Sequence, residues 1–85
     1  MSDFRDVIFL ISNTHDKSLL EDLLLGLTTD NERQEFTQRL EIVKRLLDGQ
    51  PQHKIAAELG VGVATVTRGS KELALGRFKI LRDKK

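Results

Sequence analysis

The 85-residue sequence contains no cysteine, no tryptophan, no tyrosine and a single proline, Pro51. The lack of thiols excludes disulfides and thiolate metal sites, two of the usual supports for a small fold. A chain of this length buries only about 60–65% of its unfolded surface, so a lone copy would be marginal and association is the support that remains. No apolar run approaches the ~18–20 residues needed to cross a bilayer. Residues 1–13, MSDFRDVIFLISN, carry Asp3 and Asp6 where a secretory leader would carry positive charge. The expectation is therefore a cytoplasmic protein with no membrane partner. His15 and His53 have no metal-ligand spacing, Ser70 has no neighbouring base, and Gly60-Val61-Gly62 lacks the strand context of a phosphate loop. No enzyme constellation emerges, and neither a metal nor a cofactor is expected.

Hydrophobic residues make up 39% and charged residues 32%, a balance that suits one globular domain rather than a disordered chain. Apolar residues recur at helical spacing, without sustained strand-like alternation, so the fold class is all-α. Residues 3–12 are apolar nearly all round, and a helix of that kind needs cover on most sides, which a partner chain can supply. A second helix is expected over 16–27. Thr29 and Glu32 fit a capping box that opens a third, longer helix. Along it Phe36, Leu40, Val43 and Leu47 form a stripe, until Gly49 and Pro51 end it. A fourth helix spans about 52–59, a fifth about 63–75, and a short basic tail helix or frayed end lies within 76–85. Residues 1–50 would then be dimerisation helices within a single domain of residues 1–85.

The net charge of +1 hides a division. Residues 1–38 hold three basic side chains against eight acidic, a net of −5, whereas residues 39–85 hold eleven against five, a net of +6. Such asymmetry suits a chain whose second half faces a polyanion.

That basic half contains HKIAAELGVGVATVTRGSKELA, residues 53–74. A short helix with Ile55, Ala56 and Leu59 meets Gly60 and Val61, and a second helix with Val63, Val66 and Thr67 follows. This is a helix-turn-helix pattern. Ala56 is small because the second helix crosses there, and Gly60 accepts a positive φ. Ile55, Leu59, Val61 and Val66 would fill the wedge. Val63, Ala64, Thr65 and Thr67 are small enough to approach base edges. Lys54, Arg68 and Lys71 are placed for phosphates or bases, with His53 in the first turn nearby. The partner these residues imply is double-stranded operator DNA.

The stretch AELGVGVATVTRGSKEL, residues 57–73, resembles the Trp repressor family, with ATVTRGS at 64–70 closest to a signature. ERQEFTQRLEIVKRLLDGQ, residues 32–50, is similar to that family's central helix. The resemblance covers about residues 24–75. It implies an intertwined all-helical homodimer whose reading head is residues 52–75. It also implies L-tryptophan as a corepressor ligand and repression of tryptophan biosynthesis or transport genes. By similarity Arg39 and Arg68 would flank the indole, and Arg68 would grip the carboxylate, since guanidinium planes stack on rings and pair with carboxylates. Gly69 would let the ring approach the backbone, Val43 would line the pocket, and Thr29 (or its neighbour Thr28) would close it from the other subunit.

Two positions depart from the family pattern. Glu72 stands where a small hydroxyl or similar residue is usual near the ligand amine. It could accept from an ammonium, serve another effector, or pair with Arg68 or a lysine. The turn GQPQHKI, residues 49–55, is one residue shorter than in tryptophan-responsive members. Both departures leave room for a related regulator with a different effector or none.

Overall fold

Side-chain caps open the first three helices of the chain. In the computed structural model, which describes residues 1–82, six helices follow in order: α1 Phe4–Ser12, α2 Lys17–Leu27, α3 Asp30–Leu47, α4 Gln52–Leu59, α5 Val63–Ala74 and α6 Lys79–Arg82. The all-helical class is as expected. Asp3 accepts from the Arg5 and Asp6 amides at 2.9 and 3.2 Å, and Asp6 accepts from the Asp3 amide in return. Asp16 accepts from the Leu19 amide at 3.0 Å to open α2. The expected box at α3 is present: the Glu32 amide donates to Thr29 Oγ1 at 3.2 Å, and the Thr29 amide to Glu32 Oε1 at 2.8 Å. Each such cap satisfies helix amides that otherwise have no intrahelical partner.

The chain divides into two compact units, residues 1–33 and 34–85. In the N-terminal unit Arg33 ties the α2–α3 joint together. Its guanidinium donates to the carbonyl and hydroxyl oxygens of Thr28 at 2.8 and 3.1 Å and pairs with Asp30. Neither α1 nor α2 contains a buried residue. Phe4 is 76% exposed, Phe9 66% and Leu19 63%.

In the C-terminal unit Ile42, Val43, Ile55, Ala56 and Val66 are buried, and Leu46, Leu59 and Val61 pack against this core. The wedge read from the sequence is therefore present. The α3 stripe is covered only in part: Val43 is buried and Leu47 half-buried, but Phe36 and Leu40 are exposed, and Ile42 and Leu46, which lie off the stripe, face the core. At ~100° per residue the exposed pair and the core-facing Ile42, Val43 and Leu46 lie about a quarter turn apart on the helix. Periodicity picked out one edge of a broad apolar surface, whereas α4 and α5 cover the other. Arg45 adds a polar tie, donating from Nε to Glu41 at 2.8 Å and from Nη1 to Glu58 of α4 at 2.7 Å. Its pKa is raised above the ordinary arginine value, first by the hydrogen bond to Glu41, with partial burial opposing.

Within the expected tail, α6 takes up Lys79–Arg82 of the described residues. Gly76, at φ +93°, turns the chain before α6, and residues 83–85 of that expected tail lie outside the described residues.

Candidate functional site

The α4–α5 pair depends on a left-handed glycine. Gly60 has φ +68°, a conformation that a Cβ resists, and the Val61 amide returns to the Ala56 carbonyl at 3.0 Å. The turn lets α5 cross α4 over Ala56, with Ile55 and Val66 sealed between them. Across the crossing, the Thr67 hydroxyl donates to Gln52 Oε1 at 2.8 Å. Thr67 was expected beside base edges. It is half-buried, and its hydroxyl joins the two helices.

The remaining residues expected at DNA are free at the surface. Val63, Ala64 and Thr65 form the exposed first turn of α5, Lys71 is exposed two turns further on, and His53 and Lys54 are exposed in the first turn of α4. None of these side chains makes an ion pair among the described residues.

Behind that first turn of α5 lies a cavity of about 530 Å³ between α3 and α5. Arg39 and Val43 line it from α3, and Arg68, Gly69 and Glu72 line it from α5. Five of the six residues expected at a ligand are thereby brought together. Thr29, the sixth, belongs to the N-terminal unit, where it serves the α3 cap. Ala64 and Thr65 also line the cavity, so its wall and the exposed start of α5 are the same turn of helix. Glu35, Gln38 and Ile42 line it as well and were missed, although they are helical neighbours of Arg39 and Val43. Phe78 was missed too. Gly76 marks the end of α5, but no local pattern announces the positive φ of Phe78 that follows it.

The charges around the cavity are partly committed. Arg39 Nη2 lies 3.4 Å from Glu35 Oε2, one turn earlier. Glu72 Oε1 lies 3.6 Å from Arg77 Nε, so its partner is neither Arg68 nor a lysine. Arg68 makes no ion pair or hydrogen bond among the described residues, and its guanidinium is available to a carboxylate or an aromatic face. Gly69 has a structural task beside any ligand role. A Cβ there would meet Ile42 Cγ2 at 3.2 Å and Leu46 Cδ1 at 3.6 Å, so glycine sets the close approach of α5 to α3.

Two helices crossing at a left-handed glycine, with small and basic side chains exposed on the second, define a helix-turn-helix protein. Comparison with known proteins makes the class specific. The family model described as Trp repressor protein matches residues 2–80. A Trp operon repressor homolog of Vibrio campbellii is 43% identical over 72 residues, 84% of this chain and 72% of that protein. One from Aliivibrio fischeri is 44% identical over 73 residues, 85% and 68%. One from Vibrio cholerae is 41% identical over 73 residues, 85% and 71%. No solved structure matches the chain. The chain belongs to the Trp repressor family, and it is a DNA-binding repressor rather than an enzyme. Among the described residues no helix is long and apolar enough to cross a membrane.

Proposed function

We propose that the protein is a cytoplasmic, homodimeric repressor that binds operator DNA with L-tryptophan as corepressor, at genes of tryptophan biosynthesis or transport. The cavity carries the reading: it sets Arg39 and Arg68 around one space, on the turn of α5 that also offers Val63, Ala64 and Thr65 to DNA. An indole between the guanidiniums would have cationic faces on either side, with the carboxylate on Arg68 and the ammonium on Glu72. Val43 would supply an apolar floor.

Two reading heads of a dimer must sit about 34 Å apart to enter successive major grooves. A ligand between α3 and α5 would fix how α5 leans on α3 and so tune that spacing. Linkage then requires DNA and L-tryptophan to tighten each other's binding by one factor. Homodimerisation is supported by the N-terminal unit, whose α1 and α2 bury nothing within one chain.

The test is calorimetric titration with L-tryptophan, then selection of duplexes from a random library with and without it. Saturable binding and ligand-dependent capture of one sequence class are expected, and Arg68→Ala should abolish the dependence. No binding at millimolar L-tryptophan, with ligand-independent DNA capture, would favour the second reading: a regulator with another effector. Glu72, which stands where the family pattern has a small hydroxyl or similar residue, and the shortened turn at residues 49–55 are the observations behind that alternative.

A further inference from the structure

We infer that the turn after α5 completes the ligand site, with Phe78 as its aromatic, specificity-determining wall and Arg77 as the residue that positions Glu72. The inference rests on the reading of the cavity as an amino-acid site. Phe78 has φ +63°, the one positive φ of a non-glycine residue in the described chain. A bulky side chain resists that region, and it persists only where the surroundings impose it.

Here anchors impose it from both sides. Before Phe78, the Gly76 amide donates to the Leu73 carbonyl and the Arg77 amide to the Glu72 carbonyl, each at 3.0 Å. With Gly76 left-handed, this is a Schellman closure. After Phe78, the Arg82 guanidinium donates to the Leu73 carbonyl, and the Leu81 amide returns to the Phe78 carbonyl at 3.0 Å. Both anchors hold to the last turn of α5, and the residue between them lines the cavity. Phe78 is the one aromatic residue in that lining, which otherwise offers charged, polar and small aliphatic side chains. A flat ligand ring held by Arg39 and Arg68 would meet its ring in an offset or edge contact.

Arg77 works through Glu72. Its backbone and guanidinium both address that residue, the guanidinium through Oε1 at 3.6 Å. Glu72 Oε2 has no partner among the described residues. One carboxylate can therefore be oriented by Arg77 and still accept from a ligand ammonium.

Calorimetry on the full chain with L-tryptophan tests this. Phe78→Leu keeps apolar volume and removes the ring; it should weaken binding roughly three- to tenfold, the range of an aromatic pair, while Phe78→Tyr stays near wild type. Arg77→Gln should weaken L-tryptophan binding but leave the analogue lacking the amine unchanged. Equal affinity of wild type and Phe78→Leu, or equal losses for both ligands in Arg77→Gln, would overturn the inference while the amino-acid site stood. No binding by the wild type would overturn both. A ligand-free arm uses Phe78→Trp, a lone fluorophore in a chain without tryptophan or tyrosine. Its emission should be shielded from iodide and lose that shielding when Gly76→Pro breaks the turn; full exposure in both would count against the wall.

Discussion

Two glycines of the C-terminal unit are required for opposite reasons, and substitution separates them. Around Gly60 no atom lies within 4 Å of an added Cβ, so Gly60→Ala meets only the backbone cost of a left-handed alanine, about 1–2 kcal/mol. Gly69 has an ordinary helical backbone, where alanine would gain about 1 kcal/mol of helix propensity. Against that gain stands Ile42 Cγ2, 3.2 Å from the new Cβ on a side chain only 1% exposed. Ile42 cannot withdraw into solvent, and overpacking typically costs about 1–3 kcal/mol, so Gly69→Ala should be net destabilising by roughly 1 kcal/mol. Urea denaturation of both variants checks the pair. Gly69→Ala should also weaken any ligand between α3 and α5, whereas Gly60→Ala should leave the free cavity as it is. Sequence reading identified Gly60 from its place after a short helix. For Gly69 it assigned only ligand access, because the partner that crowds it comes from another helix. Arg39, Val43, Arg68 and Glu72 were legible by resemblance, and Phe78 was not, because no pattern around it signals a positive φ.

Helix ends were the most legible features of the elements, since each is signalled by neighbouring residues: Thr29 with Glu32, Gly49 before Pro51, Gly60 after Leu59. The core-facing side of α3 was less so. Its apolar surface is broad, and which part is covered depends on where α4 and α5 lie. Once that is known, Ile55 becomes the residue on which the helix-turn-helix rests, being fully buried among Ile42, Ala56 and Val66. Ile55→Ala should cost about 2–5 kcal/mol and abolish DNA binding together with the folded signal, read by circular dichroism and gel shift. Arg45 bridges α3 to α4 by a different device. Its raised pKa keeps the cation charged throughout the pH range in which the protein is folded, so deprotonation of Arg45 removes nothing across the working range. Arg45→Met should lower the melting temperature at low salt, with a smaller difference from wild type at about 1 M salt, where exposed pairs are screened. An identical difference at both salt concentrations would indicate that Arg45 contributes through packing of its stem alone.

At the scale of the whole molecule, the uneven charge and the uneven burial answer each other. The acidic first half contains α1 and α2 and buries nothing, while the basic second half contains the core and the exposed head. A surface that leaves Phe4, Phe9 and Leu19 mostly in water within one chain is costly, at about 25 cal/mol for each Å² of apolar area left uncovered. A second copy would remove that cost and would double the number of basic heads. Lys71→Gln would then remove two phosphate contacts per dimer, and the slope of log K against log salt should fall by about 1.8 if each contact releases its counterion. Phe9→Asp separates a paired from a solitary chain more directly. If Phe9 stays in solvent as in one copy, the substitution is a surface change worth about 0.5 kcal/mol or less. If Phe9 is covered by a partner, each dimer buries two unpaired carboxylates, a large penalty that favours dissociation. Sedimentation velocity at micromolar concentration should find wild type as a dimer and Phe9→Asp as monomer or unfolded chain, with DNA affinity lost in parallel. A wild-type monomer would remove the basis for paired heads in successive grooves, and a dimer indifferent to Phe9→Asp would move the interface away from α1.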